Sequence, residues 1–250
     1  MEHDRNILVL SAVRTAIGKY GGGLAAAPPC DLAATVVRQA VSRAGVAPDQ
    51  VGHAVFGHVI HTEPRDMYLS RVAAVNGGLP VGTPAFGVNR LCGSGLQAIV
   101  SAAQAIRLGD CDVAVAGGAE SMSRGQYWLP GLRWGQRMND GTVVDAMVGA
   151  LTDPFDGCHM GVTAENVAAD YGVSREEQDA LAAESHRRAA AAASLTPEAL
   201  PAVTVPSGAK AGLSRARSAI VRPGRMCSSA STITAPFRLG TWTGVICEAK

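Results

Sequence analysis

Asn89-Arg90-Leu91-Cys92-Gly93-Ser94-Gly95 is the stretch on which the reading of the whole chain turns. Just before it, residues 84–88 form a short apolar run of the kind that makes a buried strand. Just after it, residues 94–108 (Ser-Gly-Leu-Gln-Ala-Ile-Val-Ser-Ala-Ala-Gln-Ala-Ile-Arg-Leu) read as a helix. That helix is apolar on almost every face, so it is expected in the middle of a fold and not on its surface. A thiol therefore stands where strand gives way to helix. A helix amino terminus carries roughly half a positive charge and unpaired amides. That field favours thiolate over thiol, and the same amides can hold an oxyanion forming beside the sulfur. Gly93 and Gly95 leave the backbone bare, so an acyl group can approach closely. The competing reading of the local pattern is a structural thiol, because free cysteine is among the most buried residue types.

Working outward, strands and helices alternate. Residues 6–13 read as a strand, 32–44 as a helix stopped by Gly45, 53–60 as a strand and 67–75 as a helix ended by Asn76-Gly77-Gly78. Residues 112–116 read as a strand that runs into Gly117-Gly118-Ala119-Glu120. This order predicts an α/β fold with a mainly parallel, buried sheet. From 121 to 161 the pattern dissolves into loop, with Trp128, Trp134, Met138 and Met147 in it. A loop this long inside a compact protein is usually functional or disordered. Residues 163–169 read as helix. Ser174-Arg175-Glu176-Glu177 is a capping box opening a helix to about residue 193. After residue 194 no firm periodicity is found, and no internal repeat stands out.

Composition narrows the class. The chain has 250 residues, 47% of them hydrophobic but only 4% aromatic. Its core must be built from Ala, Val, Leu and Gly, which suits helices packed closely on a sheet. A net charge of +1 gives no reason to expect a nucleic acid or a membrane as partner. No stretch of ~18 uncharged apolar residues occurs, and the polar start, Met1 to Asn6, does not read as a secretory leader. A cytoplasmic protein is the expectation. None of the six cysteines falls in a C-x-x-C pair, which argues against a structural zinc site or a disulfide framework. Free thiols, one of them catalytic, are the expectation. No P-loop or dinucleotide fingerprint is present, and Gly93-Ser94-Gly95 lacks the flanks of a serine nucleophile elbow.

Taken together, the motifs carry a family likeness. Asn89-Arg90-Leu91-Cys92-Gly93-Ser94-Gly95-Leu96-Gln97-Ala98 resembles the acyl-enzyme cysteine motif of thiolases, the acetyl-CoA acetyltransferases and 3-ketoacyl-CoA thiolases. Ala12-Val13-Arg14-Thr15-Ala16-Ile17-Gly18, Gly117-Gly118-Ala119-Glu120-Ser121-Met122-Ser123, His159-Met160-Gly161-Val162-Thr163-Ala164-Glu165-Asn166 and Glu184-Ser185-His186 match the same family in order. The resemblance runs from residue 6 to about 192. It implies the thiolase-like layered α/β fold. Residues 1–120 would be the N-terminal α/β domain with the nucleophile, and 121–193 a coenzyme A-binding loop region. Residues 194–250 would be a divergent tail.

The resemblance also implies roles. Cys92 would take the acyl group from a thioester, its own amide helping to hold the oxyanion. His159, Met160 and Leu151 would line the pantetheine and acyl end of the ligand. The reaction would be acyl transfer that forms or cleaves a 3-ketoacyl-CoA. Coenzyme A and acyl-CoA would be substrates, with no metal or redox cofactor, and a complete protein would be a homo-oligomer. His53, His58 and His61 receive no role. Arg65-Asp66 reads either as a subunit contact, by resemblance, or as a solvated charge cluster.

The sequence also departs from the family. The family's C-terminal Gly-His-Pro histidine, Asn-Glu-Ala-Phe asparagine and Cys-x-Gly cysteine have no counterpart here. Neither Cys227 nor Cys247 fits the last. Residues 201–250 carry a net +6 and residues 1–200 a net −5, and this break reads as a reading-frame change or truncation near residue 194. The alternative function is therefore an inactive fragment or an acyl-CoA-binding pseudoenzyme. A ketoacyl synthase is disfavoured by the loop from His159 to Asn166, which synthases lack.

Overall fold

The computed structural model describes residues 7–193 and 242–248. The sheet contains β1 (Ile7–Arg14), β2 (His53–Gly57), β3 (Ala85–Val88), β4 (Val113–Gly118) and a strand from the tail, β7 (Trp242–Glu248), in the order β1-β7-β4-β2-β3. β2 pairs in parallel with both β3 and β4, while β7 runs antiparallel to β4 on one side and to β1 on the other. β1, β2, β3 and β4 thus run one way and β7 against them. The expected mainly parallel sheet is present. β7, a segment whose sequence pattern predicts no element, fills the place between β1 and β4.

Alternation along β2 separates two cores. Ala54 and Phe56 face α1 (Pro29–Ala44) and α2 (Leu69–Asn76), in a cluster with Val36, Val37, Ala73 and Val115. Val55 faces the other way, onto α3 (Ser94–Leu108), with Ala98, Ala102, Ile106, Ala114 and Ala116. The result is helix, sheet, helix, in three layers. Small side chains let the layers approach closely, as the scarcity of aromatics requires. α1 ends where the sequence predicts, at Gly45, whose φ of 65° is the left-handed cap that glycine adopts without penalty.

α3 spans its predicted residues but is covered differently from expectation. Ala98, Ala102, Ala105 and Ile106 are buried on the sheet, whereas Leu96 and Leu108 are 69% and 80% exposed. Among the described residues, α3 has a sheet on one side only, so its second apolar face meets solvent.

The loop region beyond β4 holds a short hairpin of β5 (Tyr127–Trp128) with β6 (Val144–Asp145), then α4 (Ala146–Ala150), α5 (Met160–Asp170) and α6 (Arg175–Ala193). α6 opens on the predicted reciprocal cap. The Ser174 amide donates to Glu177 Oε2 at 2.8 Å, and the Glu177 amide donates to Ser174 Oγ at 3.2 Å.

Between β2 and α2 the chain turns around a buried carboxylate. Asp66 Oδ2 accepts from the Thr62 amide (2.7 Å), the Thr62 hydroxyl (2.8 Å) and the Glu63 amide (3.2 Å), and Oδ1 accepts from the Cys30 thiol (3.3 Å). The Asp66 of the expected charge cluster is therefore not solvated, although Arg65 is half-exposed and pairs with Glu63 and Asp31. Burial by itself would raise the Asp66 carboxyl. The Thr62 bonds, the Cys30 thiol and the charge of His58 outweigh it and hold Asp66 below the usual carboxylate range. A depressed pKa contributes stability above the unfolded value and loses it as the pH falls through the folded one. Asp66→Asn, which leaves buried donors short of an acceptor, is expected to cost about 1–3 kcal/mol near neutral pH. The gap from wild type should narrow as the solution is acidified below about pH 4, which thermal melts across that range would measure.

Candidate functional site

Cys92 is exposed, at the carboxyl end of the sheet, on the turn that joins β3 to α3. The turn is tied within itself. The Ser94 hydroxyl donates to the Leu91 carbonyl at 2.6 Å and accepts from the Arg90 amide at 2.9 Å. The Leu91 amide donates to Asn89 Oδ1 at 3.0 Å. The Gly93 and Ser94 amides close onto the carbonyls of Arg90 and Leu91. These bonds hold Leu91 at φ 47°, in the left-handed region that a branched side chain enters at a cost of about 1–2 kcal/mol. Strain beside a nucleophile candidate is the kind a fold retains only when its surroundings enforce it. The expectation that the first helical amides stand free for an oxyanion needs correction for Gly93 and Ser94, whose amides are spent inside the turn.

What seats the turn is Gly57, the last residue of β2. A Cβ there would lie 2.6 Å from the Ser94 carbonyl carbon and 2.8 Å from the Gly95 amide nitrogen. The amino end of α3 thus rests on bare backbone. Gly57 also accepts the Ala119 amide at 3.1 Å, which ties β2 to the chain leaving β4.

The other thiols separate by environment. Burial, helped by Asp66, pushes the Cys30 thiol up to about 12, and burial, helped by Asp110 and Asp112, pushes Cys111 up to about 11. Both are held as thiols, Cys30 buried in the core and Cys111 half-buried against it. Cys158 lies 3.6 Å from the Thr163 hydroxyl.

The predicted loop residues come together. Leu151 ends α4, and its carbonyl accepts the Met160 amide at 2.8 Å. Thr152 bridges His159, and the Asp153 amide donates to the Cys158 carbonyl at 2.8 Å. Residues 151–160 therefore form one hairpin-like loop that carries Leu151, His159 and Met160. His159 caps α5, its Nδ1 accepting the Gly161 amide at 3.0 Å. Nδ1 is thereby an acceptor, which leaves Nε2 as the protonated nitrogen of the neutral ring. Among the described residues, no hydrogen bond joins this loop to the turn of Cys92.

Three groups for which the sequence predicts no role surround the strand ends. His58 is 6% exposed, with Nδ1 2.7 Å from the Ala119 carbonyl. Glu120 accepts the Val59 and Ile60 amides at 2.9 and 3.1 Å. Its burial raises the carboxyl above the ordinary range, against the pull of His58 and of those amides. Ser94 holds the turn, as described. The first two act on partners about sixty positions away, so no local motif could reveal them. Ser94 sits inside the quoted motif, and its hydroxyl was the available signal.

The described site is a cysteine exposed at the carboxyl ends of parallel strands in a layered α/β fold, where open α/β sheets bind their ligands. The comparisons with known proteins agree with that class. A family profile described as thiolase, N-terminal domain, matches residues 7–208. The beta-ketothiolase BktB of Cupriavidus necator is 65% identical over 188 residues, which is 75% of this chain and 48% of that relative. An acetyl-CoA acetyltransferase of Chromobacterium violaceum is 49% identical over 187 residues, 74% of this chain and 47% of the relative. A crystal structure of the Bacillus anthracis acetyl-CoA acetyltransferase superposes with a TM-score of 0.81 at 33% identity, covering 98% of this chain and 66% of that one. Human mitochondrial 3-ketoacyl-CoA thiolase in complex with CoA gives 0.80 at 27% identity, covering 98% of this chain and 65% of that one. The chain belongs to the thiolase family, and it spans about half the length of the curated relatives it matches.

The seat on Gly57 is directly testable. Gly57→Ala forces the amino end of α3 off β2, and over-packing of this kind typically costs about 1–3 kcal/mol. The substitution is expected to lower the melting temperature. It should also change the rate at which iodoacetamide labels Cys92, read by peptide mass mapping with buried Cys30 as internal reference.

Proposed function

We propose that Cys92 accepts an acyl group from an acyl-CoA, as the first half of a thiolase-type acyl transfer that forms or cleaves 3-ketoacyl-CoA. The observation that carries this reading is an exposed thiol on a strained turn at the amino end of an apolar helix, inside the family's own motif. In the step proposed, the Cys92 thiolate attacks the thioester carbonyl carbon. A new sulfur–carbon bond forms and the bond to the coenzyme A sulfur breaks. The coenzyme A thiolate leaves and takes up a proton. The acyl group remains on Cys92 as a thioester, which divides one difficult reaction into two easier ones.

The amide of Cys92 is the proposed donor to the developing oxyanion, since those of Gly93 and Ser94 are committed within the turn. Leu151, His159 and Met160, gathered on one loop, are proposed to border the pantetheine and acyl end of the ligand. In that role the Nε2–H of His159 is its free donor, because Nδ1 already accepts from Gly161. Coenzyme A and acyl-CoA are substrates on this reading.

A second reading has its own observation. Among the described residues, no histidine or second cysteine is hydrogen-bonded to the Cys92 sulfur. General acid–base help of that kind is typically worth about 10²–10⁴-fold in rate. A chain that binds acyl-CoA, or acylates once without turning over, fits that arrangement. One experiment separates the readings. The purified chain is incubated with acetyl-CoA and its intact mass followed. A gain of one acetyl group, absent in Cys92→Ala, is the expected result. A folded chain that binds coenzyme A and gains no mass would overturn the acyl-acceptor reading in favour of the binding one.

A further inference from the structure

His58 occupies the point where three parallel strands end. Its backbone amide donates to the carbonyl of Val88, the last residue of β3, at 3.1 Å. Its ring Nδ1 lies 2.7 Å from the carbonyl of Ala119, the first residue after β4. The residue before it, Gly57, accepts the Ala119 amide and seats the amino end of α3. A carbonyl can only accept, so Nδ1 carries the hydrogen. Glu120 Oε1, a second acceptor, stands 3.6 Å from the same nitrogen. The other ring nitrogen, Nε2, is buried and has no hydrogen-bond partner among the described residues. The nearest carboxylate oxygen, Asp66 Oδ2, is 3.8 Å away and already takes three donors. The ring stacks on His61 with centroids 5.1 Å apart and planes 7° from parallel.

The polar contact that fixes this ring is therefore its Nδ1–H bond to Ala119. That bond crosses between the ends of β2 and β4, one residue from the glycine under α3. The Val88 carbonyl that takes the His58 amide belongs to the residue before Asn89, where the turn of Cys92 begins.

We propose that His58 is a positioning residue for Cys92: its Nδ1–H bond to the Ala119 carbonyl locks the ends of β2 and β4 together, beside the backbone bond that ties β2 to β3, and so fixes the seat of the turn of residues 89–95. The inference rests on the reading of Cys92 as acyl acceptor for its effect on acyl transfer, but not for its effect on the turn. It separates a donor from mere bulk. Asn places an amide donor near the position of Nδ1, whereas Leu has almost the shape of Asn and no donor.

The test compares the full chain with His58→Asn and His58→Leu. The rate of acetyl transfer from acetyl-CoA to Cys92 is followed by intact mass, and amide hydrogen exchange is mapped over residues 89–97 and over α1. His58→Asn should acetylate at the wild-type rate. His58→Leu should slow roughly tenfold or more, the scale of loss that misplaced reacting groups produce. Exchange should quicken in residues 89–97 and stay unchanged in α1. The proposal is overturned if Leu matches wild type in rate and exchange, or if Asn is as slow as Leu. Should the Leu variant not fold, His58→Met, which likewise has no donor, takes its place with the same outcomes. If the wild-type chain takes no acetyl group, the acyl-acceptor reading fails, and the exchange comparison still decides the role of His58.

Discussion

The contact between the amino end of α3 and the bare backbone of Gly57 is the constraint from which the geometry of the site follows. A helix amino end is a cluster of amides in need of partners, and here it is set down at the carboxyl end of a parallel strand with no side chain in between. That placement brings the turn of Cys92 to the mouth of the sheet instead of its flank. It also leaves the turn short, and a short turn has to bend hard, which it does at Leu91. Ser94 and Asn89 supply the bonds that hold the bend. Each depends on the one before it. Without the glycine the helix would stand away from the strand, the turn could relax, and the strained residue next to the thiol would lose what enforces it.

Much of this was legible in the sequence, because the signals were local. The limits of α3, the Gly45 stop, the cap at Ser174 and Glu177 and the strand–thiol–helix order each depend on residues within a few positions of one another. What was not legible depends on residues far apart. His58 and Glu120 act across about sixty positions, and nothing near either announces the other. Asp66, next to Arg65, reads from sequence as a subunit contact or part of a solvated charge cluster, yet the chain folds Thr62, Glu63 and Cys30 around it. β7 was missed for another reason. Trp-Thr-Gly-Val-Ile-Cys-Glu has no clean alternation and two residues that weaken a strand signal, Gly and Glu. Its place is set by the neighbours it joins, β1 and β4, each of which offers it a full edge of backbone groups.

α3 shows how a correct local reading can still mislead. Its all-round apolarity implied a helix enclosed on every side. Among the described residues, the sheet covers one face, through alanines and Ile106, and Leu96 and Leu108 stand in solvent. Periodicity states how much of a helix is apolar. It does not state which molecule, or which part of one, provides the cover.

The same geometry sets what the described residues can contribute to an acyl transfer. Moving an acyl group from the sulfur of coenzyme A to that of Cys92 exchanges one thioester for another. The bond made and the bond broken are of the same kind, so the step needs no large driving force. It needs a thiolate and a donor for the oxyanion, and the donor proposed is the amide of Cys92, since those of Gly93 and Ser94 are spent within the turn. Making or breaking the carbon–carbon bond of a 3-ketoacyl group is a different demand, because a carbanion must be stabilised and a proton moved at carbon. General acid–base groups, worth about 10²–10⁴-fold, matter most there. On the proposed reading, the helix-end turn of Cys92 is suited to the first of these steps, and the second draws on groups that no described residue sets against the sulfur. The division follows from the chemistry of the two bonds, and on the proposed reading it sets acylation of Cys92 apart from the carbon–carbon step.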